Sequence, residues 1–287
     1  MGRERITGVR PTDRFRAASL HASARFTVRY GRELRFAGKH LPRPTRRRYP
    51  TRHGPVSTLE YGEPGAPALV HFHGGAWLMR YPQMDDWWCR YLAAEAEVRV
   101  VNVDFRAGPY VAYPVAQHQC HDVAAAVADQ GAPVAVGGFS SGGGLAASVA
   151  LQARDLGSFT PRLQVLGVPA LDLASDLPPG RGMISPSLRE LVRRVYFPDP
   201  ESRREPYASP ALAEDLTGLA PAIVLTAERD TLRRDGDRYA ERLRGAGVEV
   251  VHDVTPGVDH YFLTEDPDRA RSTMAMVAEQ VRARLSG

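Results

Sequence analysis

Short apolar runs, many of them β-branched, recur along the chain and alternate with longer amphipathic stretches. The runs are VSTLEY (56–61), ALVHF (68–72), VRVVNV (98–103), VAVGG (134–138), LQVLGV (163–168), AIVLT (222–226) and VEVVHD (248–253). Several are apolar at consecutive positions, which predicts strands buried on both faces of a parallel sheet. Between them, 84–96, 115–130, 142–156, 233–246 and 267–285 read as helices. Repeated strand–helix alternation predicts an α/β sheet with right-handed crossovers.

Two regions break this rhythm. Residues 1–50 are arginine-rich, with scattered apolar positions (Phe15, Leu20, Phe26, Val28, Leu34, Phe36) that predict one or two short helices. LPRPTRRRYP ends them, because proline denies helix continuation and drives the preceding residue extended, so a boundary is placed near residue 50. Residues 175–210 are rich in Pro, Gly and Arg, with one helical stretch near 187–196, and read as an insertion between core strands, a natural lid.

Composition adds less. A chain of 287 residues, 43% hydrophobic and 24% charged, is an ordinary globular protein able to bury a substantial core. Charge is uneven: residues 1–52 carry 15 Arg/Lys against 3 Asp/Glu, and the remainder 22 against 30. The simplest reading is a basic segment lying on an acidic body; PTRRRYPTR reads as solvated charge, and no nucleic-acid-binding signature accompanies it. Two cysteines, Cys89 and Cys120, make no disulfide framework and read as free thiols. The opening residues lack the apolar core of a secretory signal, and no apolar run reaches the ~18 residues of a membrane span. The expectation is a soluble, cytoplasmic protein.

Candidate chemistry concentrates at the ends of the apolar runs. Gly138-Phe139-Ser140-Ser141-Gly142 matches G-x-S-x-G between a predicted strand and a predicted helix, the setting of a nucleophile elbow. Glycine on both sides lets strand and helix approach while the Ser140 hydroxyl projects from the turn. HGGAW (73–77) follows an earlier strand. Its small residues leave backbone N–H groups accessible to a developing oxyanion, with Gly74, Gly75 and Ala76 as candidates and the Ser141 N–H as a further donor. His73 reads as a brace of this loop.

A serine hydroxyl needs a base oriented by an acid. Only His252 and His260 lie downstream of Ser140. His252 falls inside a strand run, whereas His260 lies in the loop TPGVDHYFL, where a mobile base belongs. For the acid, Asp230 follows a buried strand, at the end where catalytic groups collect; Glu228 and Asp235 are nearby alternatives. His118, His121 and Asp122 have a spacing that permits metal ligation, but read as the polar face of a helix, so no metal is expected. Trp77, Tyr81, Trp87 and Trp88 either line an acyl or alcohol pocket or pack against the N-terminal segment.

HGGAW (73–77), VDFRAGP (103–109), GFSSGG (138–143), YASPAL (207–212), LTAERDTLRRDGDRYAERLRGAG (225–247) and PGVDHYF (256–262) together resemble the hormone-sensitive-lipase-like family of α/β-hydrolases. The resemblance implies a mostly parallel sheet flanked by helices. It implies a triad of Ser140, Asp230 and His260, an oxyanion hole at Gly74, Gly75 and Ser141, and no cofactor. It further implies a cap built from an N-terminal segment (1–50) and the 175–210 insertion over a catalytic domain (51–287), and a homodimer through an edge strand or the last helix. Four positions depart from the family pattern: Ala76 replaces the third glycine of HGGG, Phe139 the elbow aspartate, FRAGPY (105–110) a YRLAPE-like segment, and Tyr261 the glycine after the base. Trp77, Phe139 and Tyr261 are the candidate substrate-contacting residues. The expected activity is a serine carboxylesterase for short- to medium-chain esters. Two alternatives stand beside it: an acyltransferase or tailoring hydrolase using the same triad, and a non-catalytic small-molecule binder.

Overall fold

The computed structural model of the chain describes residues 9–28, 31, 33–177 and 182–287. Its strands are β1 (Thr45–Tyr49), β2 (Val56–Tyr61), β3 (Ala68–Phe72), β4 (Arg99–Asp104), β5 (Val134–Phe139), β6 (Gln164–Gly167), β7 (Ala222–Ala227) and β8 (Val250–Thr255). They form an eight-stranded sheet in the order β1-β2-β4-β3-β5-β6-β7-β8. The β1–β2 and β2–β4 pairs are antiparallel and all others parallel. The helices are α1 (Pro11–Thr27), α2 (Asp86–Glu95), α3 (Val115–Ala128), α4 (Ser141–Leu156), α5 (Pro186–Val195), α6 (Arg233–Gly245), α7 (Phe262–Glu265) and α8 (Pro267–Leu285).

Side chains of the inner strands alternate between two cores, as the two-residue period of a strand requires. Val70, Phe72, Val101, Val136, Leu166 and Val224 face the core shared with α3, α4 and α6. Leu69, Val100, Ala135, Val165 and Ile223 face the core shared with α2 and α8. This is the doubly covered, mostly parallel sheet that consecutive apolar positions predict.

The sheet begins earlier than the boundary expected near residue 50. The run TRRRY (45–49) forms β1, with only its last residue buried. Three consecutive arginines hide a strand from any apolar pattern, yet charge suits an edge strand, because it discourages pairing with another chain. Tyr49 anchors β1: its hydroxyl donates to Glu60 Oε1 at 3.0 Å and accepts from Arg99 Nη2 at 2.7 Å, while Arg99 Nε donates to Glu60 Oε2 at 3.0 Å. In the N-terminal segment, α1 is one 17-residue helix. It lies against α5 of the insertion, and Arg194 Nε donates to Asp13 Oδ2 at 2.8 Å across the two. The insertion's residues 178–181 lie outside the described residues.

Candidate active site

The C-terminal ends of β3, β5, β7 and β8 bring four loops together at one edge of the sheet, where ligands collect in α/β folds. At the end of β5 the chain reverses into α4 through Ser140, whose φ of 57° and ψ of −118° are strained for a residue with a side chain. Surrounding bonds hold it there. The Ser140 N–H donates to the Gly167 carbonyl at 2.8 Å, and the Ser140 carbonyl accepts from Gly144 and Ala170, each at 3.1 Å. The flanking glycines are required by close approach. A Cβ at Gly138 would overlap the Phe72 carbonyl, and one at Gly142 would overlap that same carbonyl and lie 2.7 Å from the His73 oxygen.

The loop after β3 takes left-handed conformations at Gly75 (φ 110°), Ala76 (φ 55°) and Trp77 (φ 53°). The Gly75 carbonyl accepts from Leu78 at 3.0 Å and Met79 at 2.9 Å, closing the turn. His73 Nδ1 donates to the Gly74 carbonyl at 2.7 Å, and its ring stacks on Phe105 at 4.3 Å. Burial pushes the His73 pKa down, so a neutral ring braces the loop. Among the described residues the N–H groups of Gly74, Gly75 and Ser141 have no hydrogen-bond partner. Ala76 keeps the turn despite its Cβ.

Asp230, in the loop after β7, and His260, in the loop after β8, meet: His260 Nδ1 and Asp230 Oδ2 are 2.7 Å apart, both side chains nearly fully buried. A carboxylate only accepts, so Nδ1 carries the proton and Nε2 keeps its lone pair. The second Asp230 oxygen accepts from the Leu232 N–H at 3.0 Å. The other acids are engaged elsewhere. Glu228 accepts from the Gly257 N–H at 2.6 Å. Asp235 accepts from the N–H groups of Leu171 (3.2 Å) and Asp172 (3.1 Å), and burial pushes its pKa up to about 6. His252 stays on β8, 3.1 Å from Thr226 Oγ1 and Asp237 Oδ1.

Two cavities meet at Ser140. The first, about 120 Å³, is lined by Gly74, Gly75, Phe139, Ser140, His260 and Tyr261 among others. The second, about 30 Å³, is lined by Trp77, Ser140, Ser141, Leu173, Arg189 and Leu232 among others. Of the expected substrate contacts, Phe139 and Tyr261 therefore line the first cavity and Trp77 the second. Phe139 also anchors an aromatic cluster, with ring centroids 5.9 Å from Trp87, 4.9 Å from Trp88 and 5.9 Å from His71.

Sequence reasoning missed two buried groups. His71 Nε2 lies 2.8 Å from Asp85 Oδ2, both fully buried beneath the aromatic cluster, and nothing in the apolar run ALVHF signals that pair. Arg189 is buried beside Ser140; its place on the same helical face as Leu188 and Val192 was the available signal. The helix bearing His118, His121 and Asp122 is tied down by other bonds. Asp122 accepts from the Arg52 backbone N–H at 2.9 Å, and His121 Nε2 lies 2.9 Å from Ser158 Oγ. Cys120 is buried, and among the described residues no three His, Cys, Asp or Glu side chains converge to hold a metal ion.

A β-strand–nucleophile-elbow–helix unit with an acid and a histidine on successive later loops defines the α/β-hydrolase class. The α/β-hydrolase-fold family profile matches residues 69–264, and the chain belongs to that family, in its hormone-sensitive-lipase-like branch. It is 32% identical over 231 residues to an arylesterase of Saccharolobus solfataricus, covering 73% of this chain and 72% of that protein. It is 33% identical over 235 residues to an ethyl acetate hydrolase of Pseudomonas putida, covering 76% and 73%. Among solved structures, a hyperthermophilic esterase from the archaeon Pyrobaculum calidifontis superposes with a TM-score of 0.82 at 32% identity, covering 94% of this chain and 93% of that one. The chain is accordingly an enzyme of the carboxylic ester hydrolase class. Among the described residues, no helix is long and apolar enough to cross a membrane.

Proposed function

We propose that the chain is a serine carboxylesterase working through Ser140, His260 and Asp230 on small esters of short- to medium-chain acids. The observation that carries this reading is the buried His260–Asp230 bond of 2.7 Å, opening on the cavity that also contains Ser140, Gly74 and Gly75. In this reaction the Ser140 oxygen attacks the ester carbonyl carbon while His260 Nε2 takes its proton. The carbonyl oxygen, now carrying the negative charge, is held by the N–H groups of Gly74, Gly75 and Ser141. The carbon–oxygen bond to the alcohol then breaks, and His260 delivers its proton to the departing oxygen. Water attacks the acyl-enzyme through the same base, regenerating Ser140 and releasing the acid. Asp230 holds the productive tautomer throughout and stabilises the imidazolium.

α1 and α5 form the cap of this site. Val28 and Leu34 from the N-terminal segment, and Ile184 and Leu188 from the insertion, line the larger cavity. The larger cavity, bordered by both Ser140 and His260, takes the ester, its acyl chain included.

Treatment with diethyl p-nitrophenyl phosphate, followed by peptide mapping, tests the assignment. The expected result is a single diethylphosphoryl adduct on Ser140, with loss of p-nitrophenyl butyrate hydrolysis in proportion to labelling. An inhibited protein bearing its adduct on any other residue contradicts the reading.

A further inference from the structure

The residue before His260 and the residue after Asp230 both hold the same short stretch of the insertion, residues 182–184, which leads into α5. Asp259 Oδ1 accepts from the His260 backbone N–H at 2.7 Å, and Asp259 Oδ2 accepts from the Met183 N–H at 3.0 Å. The Thr231 hydroxyl donates to the Ile184 carbonyl at 2.9 Å. The stretch runs so close that a Cβ on Gly182 would lie 2.8 Å from Thr231 Cγ2. Asp259 is steadied from behind: its own N–H donates to Glu265 Oε1 at 3.1 Å, and Glu265 Oε2 accepts from Arg229 Nη2 at 3.1 Å. Met183 and Ile184, the two residues held, line the larger cavity together with Ser140 and His260.

We propose that Asp259 is a positioning residue that links the seating of residues 182–184 over the ester to the placement of His260. This rests on the reading of His260 as the base. A carboxylate bonded at both oxygens is held in one orientation. When the Met183 N–H leaves Oδ2, the group is free to turn towards water, and its hold on the His260 N–H weakens. Displacing a reacting group by about 1 Å can cost about 100-fold in rate, so a loosened His260 loop lowers kcat. Hydrogen bonds to an ionised carboxylate are roughly twice as strong as neutral ones, which makes Asp259 the stronger fastening and Thr231 the weaker. Thr231 acts through Asp259: by holding Ile184 it keeps the adjacent Met183 N–H within reach of the carboxylate. The base is thus fully placed only when the cavity wall is in position, a form of induced fit.

The test combines steady-state hydrolysis of p-nitrophenyl butyrate with amide hydrogen exchange, on variants shown to be folded. Asp259→Ala removes both acceptors, and kcat is expected to fall about ten- to 100-fold. Thr231→Val keeps the shape and removes only the bond to Ile184; kcat is expected to fall about two- to tenfold, and Thr231→Ser, which keeps the hydroxyl, to recover most of that loss. In the double variant Asp259→Ala/Thr231→Val, kcat is expected to stay within about twofold of Asp259→Ala, because the stretch is already released. Exchange reads the link without any substrate: Thr231→Val is expected to speed exchange in the peptide carrying the His260 amide as well as at 182–184. A Thr231→Val variant that raises KM and leaves kcat in place, or speeds exchange at 182–184 alone, would show a cavity wall with no link to His260 and overturn the proposal. Losses in kcat that multiply in the double variant would overturn it too, since the two bonds would then act independently. Failure of the wild type to hydrolyse the ester would instead remove the esterase reading, and the exchange comparison would still decide whether the stretch and the His260 loop are linked.

Discussion

At Ser140 the chain accepts backbone strain to project a hydroxyl, and three backbone hydrogen bonds keep it there. Replacing Ser140 by Ala keeps that backbone and removes the hydroxyl proposed as nucleophile, so kcat is expected to fall by about 10⁶, as for nucleophile loss in serine proteases. Asp230→Asn presents an amide where Nδ1–H needs an acceptor. The imidazole then favours the wrong tautomer, and the expected loss in kcat is about 10⁴-fold with KM nearly unchanged, measured by steady-state kinetics in parallel. Phe139 acts differently. It fills the elbow position where the family pattern has a polar aspartate, and Trp87, Trp88 and His71 surround it. Phe139→Ala is expected to cost about 3–5 kcal/mol of stability, read from urea denaturation, because the ring leaves a cavity under the larger pocket. Phe139 illustrates the limit of motif reading: as a departure from the pattern it was visible in the chain, but its purpose lies in two tryptophans some fifty residues upstream.

At the scale of elements, the elbow depends on β5, β3 and α4 touching through glycine. Gly142→Ala would drive a methyl into the carbonyls of Phe72 and His73, which belong to the central strand and its exit and cannot give way. A loss of at least about 3 kcal/mol is expected, with activity falling alongside folded fraction in circular dichroism and assay. The elements themselves were largely legible. The runs at 56–61 and 68–72 and the helix at 267–285 coincide with β2, β3 and α8, because buried parallel strands and amphipathic helices leave strong patterns. β1 was not legible: its exposed arginines carry no strand signal, and its place depends on Tyr49 meeting Glu60 and Arg99. Arg189 left only a partial signal. Its helical face, shared with Leu188 and Val192, pointed inward, but Arg193 is equally buried, and only the packed structure puts Arg189 at the cavity beside Ser140.

Across the whole molecule, the pairing of Asp230 with His260 was expected from chain order, from their placement after strand runs and from the family resemblance, whereas the division of the site into a large and a small cavity depends on where α5 lies. pH acts on the molecule at a distance from that site. His118, on α3, lies 2.9 Å from His53 and faces Arg52, His121 and Asp122; burial, then the Arg52 charge and His53, push its pKa from 6.5 to about 4. Between these values the unfolded chain binds a proton that the folded chain refuses, so stability falls as pH drops from 6.5 towards 4. Wild type is expected to lose more Tm between pH 7.5 and 5 than His118→Gln does; equal losses would place the acid sensitivity elsewhere. The central claim, however, is catalytic. The most direct measurement is hydrolysis of p-nitrophenyl butyrate by wild type and by Ser140→Ala, with both shown to be folded. Turnover by the wild type that vanishes in the variant is the predicted result; turnover that persists in the variant would contradict Ser140 as the nucleophile and the account built on it.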